Sequence, residues 1–330
     1  MRLSNETLKS VLDKPPSAVA AIDVRGLGIT HVDDISDYAP VRRLDLSGNK
    51  IGQSEDLSGL RQLTALAHVN LSNNELQDMD VVERLGNLGV LNMSNNKISH
   101  ISKHIVNCKQ LKAIILGHNS IKHVKHIDTL DKLNTLVISH NRVESIPSMP
   151  KLKELTKISA AHNEIQTIPD LSIYPLLKEV RLNDNKIKVV PENIRSCTSL
   201  KVVDLGNNHM DEWTSIAPLG SLVYLDNLNL KGNPICLEAG YRERVVKMIP
   251  SLRVLDGERF DERFLKRREK RKLKESNEAG GVGNVKSKSE LTTGAAGPSK
   301  RHGRPNGNSE TLSEHRPQKR QVKESRHKLA

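Results

Sequence analysis

Apolar residues recur along most of the chain at a long fixed spacing, not in a helical stripe or a simple alternation. Residues 88–98, 111–121, 133–143, 155–165 and 177–187 share the form LxxLxLxxNxI, with other apolar residues replacing some leucines. The asparagine returns at 49, 74, 96, 119, 141, 163, 185, 208 and 233, at intervals of 22 to 25 residues. In each LxL stretch the alternation sends apolar side chains to one face of a short strand. The chain must then turn and return. A side-chain amide can both donate and accept across that turn, which satisfies backbone groups buried between coils. A unit of this length cannot bury its own apolar face, so stacking of neighbours is implied, with a thin continuous core.

The expected fold is an α/β leucine-rich-repeat solenoid. It is curved, with parallel strands on the concave face and short helices or irregular segments on the convex face. Residues 19–29 keep the apolar positions but put Leu27 at the asparagine site, as befits a terminal repeat, and residues 251–257 form a last partial unit. Both ends need caps. Ser4 can N-cap a helix that turns Leu3, Leu8, Val11 and Leu12 toward the first coil, with Pro15 and Pro16 stopping it. Residues 240–249 read as an amphipathic helix offering Tyr241, Val245, Val246 and Ile249 to the last coil, before Pro250. The expected organisation is an N-terminal helical cap over 1–18, the solenoid with its C-terminal cap over 19–258, a basic and helical extension over 259–274, and a disordered basic tail over 275–330.

The 22-residue units and the terminus Asn233-Pro234-Ile235, Tyr241-Arg242, Val245, Pro250, Leu252, Leu255-Asp256-Gly257 resemble one subclass of leucine-rich-repeat proteins. That subclass includes the regulatory subunit of type-1 protein phosphatase, the spliceosomal A-prime protein and axonemal dynein light chain 1. The resemblance covers about residues 19–258. It implies a binding scaffold and not an enzyme, and type-1 protein phosphatase as one partner. The subclass engages that phosphatase through acidic and aromatic residues of the concave face, and the columns described below hold no aromatic residue.

Charge divides the chain. Its 330 residues carry a net +12, but residues 266–330 alone hold 18 Lys+Arg against 7 Asp+Glu, leaving the body close to neutral. The segment has no aromatic residue and is rich in Gly, Ser, Pro and Asn, so it cannot offset its ordering entropy by apolar burial. Its leading cluster, Lys266, Arg267, Arg268, Lys270, Arg271 and Lys272, has the character of a nuclear-import signal. Any nucleic-acid contact belongs to this segment and, without aromatic stacking, would be nonspecific and salt-dependent. The longest apolar runs are a few residues, far below a membrane span, and Glu6 stands where a signal peptide would have its apolar core. A non-secreted monomer of the nucleus or cytoplasm is expected. An RNA-binding ribonucleoprotein component and an axonemal or cytoskeletal adaptor are the alternatives.

Aligning the repeats on asparagine puts Val90, Ala113, Ile115 and Val137 together among otherwise small or polar outward positions of the strands. Such a patch is a candidate contact surface, with Arg181 further along the column of Ile115 and Val137. His118, His140 and His162 precede the ladder asparagine in three consecutive repeats, followed by Asp184. Stacked coils would bring these imidazoles within about one strand spacing, ~5 Å. The column reads as a turn position copied with the repeat or as a polar strip facing a partner, and a metal or pH-sensing ladder is the sharper alternative. Cys108 and Cys197 occupy a core column otherwise filled by Leu, Tyr and Ile, and Cys236 has no companion. Three unpaired cysteines and the absence of nucleophile-elbow, HExxH, phosphate-loop or dinucleotide motifs predict no disulfide framework, metal, cofactor or catalysis.

Overall fold

The computed structural model describes residues 1–261 except Asp13, together with Arg267 and Lys270, which are helical and exposed. The expected tail, 275–330, and Lys266, Arg268, Arg271 and Lys272 of the basic cluster lie outside the described residues.

Each LxL stretch forms a strand of three residues whose middle side chain is buried. Leu91 is enclosed in Val90–Asn92, Ile114 in Ala113–Ile115 and Leu136 in Thr135–Val137. Eleven strands, from Ala21–Asp23 to Val254–Leu255, pair in parallel in chain order, and antiparallel Glu258–Arg259 completes a twelve-stranded sheet. Pairing is in repeat register, so Val90 sits beside Ala113 and then Thr135, and Asn92 beside Ile115 and then Val137. The returning side of the coils carries short 3-10 helices, among them Ser54–Gln62, Asp80–Arg84, Lys103–Asn107 and Glu192–Ser196. Helical turns are wider than strands spaced ~4.8 Å apart, so the stack bends toward its sheet face.

Between the two sides runs a column of Leu, Ile and Val, each fully buried side chain contributing about 1.5–3 kcal/mol of transfer free energy. The position three before the first leucine of each repeat is buried throughout: Tyr38, Leu63, Leu85, Cys108, Leu130, Leu152, Tyr174, Cys197, Leu222 and Ile249. Cys108 and Cys197 are therefore small core hydrophobes. Burial alone pushes the Cys108 thiol up to about 11, and burial, helped by Asp170, does the same at Cys197.

The asparagines stitch coil to coil. Asn163 is representative: its Oδ1 accepts from the Val143 N–H at 2.9 Å, and its Nδ2 donates to the Ile138 and Ala160 carbonyls at 3.0 Å each. All nine ladder asparagines repeat this scheme, each reaching back to the coil before its own. That direction explains Leu27. The first coil has no coil behind it to bond, so its site needs no amide, and Leu27 is instead substantially exposed. At the other end the Asp256 carboxylate closes the sheet side of the last full coil. It receives at 2.7 Å the Leu230 N–H, whose counterparts in earlier coils bond a strand carbonyl, and the Tyr241 hydroxyl at 3.0 Å.

The caps follow the expected residues with differences of detail. Helix α1 is Asn5–Val11, N-capped by Ser4, whose hydroxyl accepts from the Thr7 N–H. It buries Leu8, but Val11 faces solvent, and Leu12 already ends the helix before the prolines are reached. Leu3 is buried from a strand, not from the helix: Arg2–Leu3 pairs in parallel with His31–Val32. On the returning side a short helix α2, Trp213–Ile216, precedes the 3-10 helix Ala217–Ser221. The C-terminal cap contains α3, Tyr241–Met248, entered through Gly240 at φ +71° and burying Tyr241 and Val245 against the last coils.

Candidate protein-interaction face

The outward residues of the parallel strands form one continuous face, and its chemistry changes along the stack. Toward the N-terminus the polar side chains hold one another: Asn70 Nδ2 donates to Asp45 Oδ2 at 3.0 Å, and Arg25 pairs with Asp23 at 2.7 Å. Toward the C-terminus Asn229 Nδ2 donates to Asp204 Oδ1 at 2.8 Å. Glu179 there takes Lys157 at 3.0 Å and Arg181 Nε at 2.6 Å on the same oxygen. Burial raises the Glu179 carboxyl, yet the hydrogen bonds from Lys157 and Arg181 outweigh it and leave it below the usual value.

Between these polar networks lies the apolar centre. Ile115 and Val137 are register partners on adjacent strands, as are Val90 and Ala113, and all four are only half-buried. The alternation of the strands thus places the four expected residues side by side on one surface. Arg181 is exposed two strands further along than Val137 but is tied to Glu179, so it faces a partner as part of an ion pair rather than as an isolated cation.

The column before the ladder asparagine has a backbone cause that the sequence pattern alone does not state. Gly48, Asn73, Asn95, His118, His140, His162, Asp184, Asn207 and Gly232 all have positive φ, between 50° and 83°. This left-handed turn is open to glycine and, among other residues, is entered most readily by Asn, Asp and His. The side-chain repertoire of the column is that short menu, and it was visible in the aligned repeats as a position holding no other residue type.

The histidines nevertheless make a structure of their own. His118 and His140 stack with ring centroids 3.9 Å apart and planes 12° from parallel, and His140 and His162 stack at 4.0 Å and 15°. They lean closer than the strand spacing and end on a carboxylate, with His162 Nε2 3.3 Å from Asp184 Oδ2. Burial, followed by the charges of His118 and His162, lowers the His140 pKa from the ordinary 6.5, with Asp184 opposing. All three rings are exposed at the edge of the sheet face. Among the described residues, no group of three or more His, Cys, Asp or Glu is arranged to hold a metal ion. Among them, too, no helix is long and apolar enough to cross a membrane.

Comparison with known proteins agrees with this geometry. A family model described as Leucine-rich repeat matches residues 29–151 and 150–283. Over 61 residues the chain is 39% identical to U2 small nuclear ribonucleoprotein A' of Schizosaccharomyces pombe, a stretch covering 18% of this chain and 26% of that protein. Over 55 residues it is 46% identical to dynein axonemal assembly factor 11 of Trypanosoma brucei brucei, covering 17% of this chain and 14% of that one. The matched stretch is thus about a quarter of the first relative's length and less of the second. Among solved structures, an internalin (InlF) of Listeria monocytogenes has a TM-score of 0.52 at 19% identity, covering 77% of this chain and 82% of its own. The plant peptide hormone receptor RGFR1, in complex with RGF2, has a TM-score of 0.54 at 22% identity, covering 65% and 40%. At such identities the structural likeness speaks to the fold alone.

Proposed function

The chain belongs to the leucine-rich-repeat family, and from that premise we propose that it is a non-catalytic scaffold whose sheet face binds a globular protein partner. The observation that carries this is the half-buried cluster of Ile115, Val137, Val90 and Ala113, set on the face between the Asp45–Asn70 pair and the Lys157–Glu179–Arg181 group. Polar surface on both sides of an apolar centre is the anatomy of a protein interface, with a rim that excludes water from the anchoring contacts. His118, His140 and His162 form the edge of that site, and the Lys157–Glu179–Arg181 group its far rim.

Type-1 protein phosphatase is the partner to test first, because the subclass resemblance implies it. The contact would rest on aliphatic side chains, since the outward columns of the face hold no aromatic residue. In this reading the basic cluster beginning at Lys266 directs the protein to the nucleus. The test combines two variants of the full chain. Ile115→Glu with Val137→Glu should abolish capture of the purified phosphatase catalytic subunit while leaving the melting temperature within about 2 °C. Deletion of residues 266–330 should preserve capture and remove nuclear accumulation. Unchanged capture by the double variant would overturn the assignment of the face.

A second reading is a ribonucleoprotein component, favoured by the local identity to U2 small nuclear ribonucleoprotein A' together with the basic segment. It predicts that deleting 266–330 abolishes RNA retention, whereas in the first reading RNA retention is not a property of the protein.

A further inference from the structure

The solenoid carries a second built surface, away from the sheet face, where α2 and the 3-10 helix after it meet α3. Trp213, Thr214, Ala217, Arg244, Lys247 and Met248 line a groove there. Its floor is apolar. Trp213, the one tryptophan of the chain, is only partly buried and packs 6.3 Å from the Tyr241 ring. The Arg244 guanidinium lies 4.0 Å from the Trp213 ring centroid, a cation–π contact that fixes both side chains. Met248 forms the other wall because Gly220 lets it lie back: a Cβ at Gly220 would stand 2.9 Å from Met248 Cγ.

The charge of the groove is one-sided. Arg244 and Lys247, both exposed, are one helical turn apart on α3, and the lining holds no carboxylate. Glu212, before α2, is engaged by the Thr214 hydroxyl at 3.0 Å, and the exposed Glu243 beside Arg244 on α3 does not line the groove. Neither cation has an ion pair among the described residues. We infer that this groove takes an acidic segment of a partner protein, seating an aliphatic side chain against Trp213, Ala217 and Met248 and presenting carboxylates to Arg244 and Lys247. Charge excludes the chain's own basic segment 266–330 as the occupant. Nucleic acid fits poorly, because the guanidinium of Arg244 already covers a face of the one ring available for base stacking.

Because Trp213 is the sole tryptophan, its emission reports on this groove directly. The full-length protein would be titrated with a capped peptide of two leucines flanked by glutamates. The same peptide with lysines for the glutamates, and a single-stranded oligothymidine, serve as the other arms. A saturable change in emission with the acidic peptide alone is expected, weakening with added salt. Lys247→Glu leaves the Trp213–Arg244 packing intact and should weaken binding several-fold. Adding Arg244→Gln should bring the loss to about tenfold or more. Circular dichroism confirms the fold of both variants. Ile115→Glu with Val137→Glu should leave this titration unchanged, so it stands or falls apart from the sheet-face reading. No saturable change, an equal response to the lysine peptide, or a response to the oligothymidine would each overturn the inference.

Discussion

Replacing Asn163 with alanine tests the coil-to-coil stitching at its centre. The side chain makes four hydrogen bonds, the longest to the Ala161 carbonyl, which keeps the His140 N–H, and they are not equivalent. The Ile138 carbonyl keeps the amide of Asn141 and the Ala160 carbonyl keeps that of Asn185, so each loses one donor of two. The buried Val143 N–H has Asn163 Oδ1 as its acceptor and is left with none. An orphaned buried donor costs about 1–3 kcal/mol, and each weakened carbonyl about 0.5–1 kcal/mol. The expected loss is therefore about 3 kcal/mol, concentrated at the interface between two coils. Asn163→Asp keeps the acceptor for Val143 but turns a carboxylate oxygen toward two carbonyls, so it should be no better than alanine. Urea denaturation followed by circular dichroism measures both. A loss under 1 kcal/mol for Asn163→Ala, or an aspartate variant as stable as the native chain, would refute this assignment of the ladder.

Other substitutions separate backbone from side-chain effects. His140→Asn should be tolerated at φ +55°, whereas His140→Val should cost about 1–2 kcal/mol, because a β-branched residue is strained there. The same asparagine variant reads out pH. His140 holds its proton less tightly folded than unfolded, so the unfolded chain binds more protons below about pH 6.5 and stability falls as pH drops through that window. The melting temperature of the native chain should fall more than that of His140→Asn between pH 7.5 and 5.5. Gly232→Ala should cost more than Gly48→Ala in the same urea assay. A Cβ at Gly232 would lie 1.9 Å from Asn207 Oδ1, while at Gly48 nothing comes nearer than 3.7 Å and only the turn strain of about 1 kcal/mol remains. Tyr38→Phe should stabilise by about 0.5–1 kcal/mol, since the Tyr38 hydroxyl is buried without a hydrogen-bond partner.

The strands, the asparagine ladder and the core cysteines were legible in the sequence because each depends on spacing, and spacing survives in the linear chain. The four apolar residues of the sheet face were legible for the same reason. What depends on dihedral angles or on side chains far apart in sequence was not. The His118, His140 and His162 column read as a copied turn position, without showing that the turn is left-handed and restricts the residues it admits. Arg181 was placed on the face by its column, but nothing in the pattern marked its ion pair with Glu179. Leu3 was assigned to a helix, but its burial comes from a parallel pairing with Val32, a contact across 29 residues. The stacking of Arg244 on Trp213 joins two elements separated by a whole coil, and no local pattern announces it.

The backward reach of the asparagines has a consequence for a chain made on a ribosome. Each coil exposes its turn N–H until the next coil's asparagine arrives, as Val143 waits for Asn163. At translation rates of about 5–20 residues per second, that delay is on the order of one to four seconds per repeat. Emerging coils are thus always one unit short of completion. The last of them has no successor, and its corresponding N–H, that of Ile235, turns back to the Met210 carbonyl of the coil before.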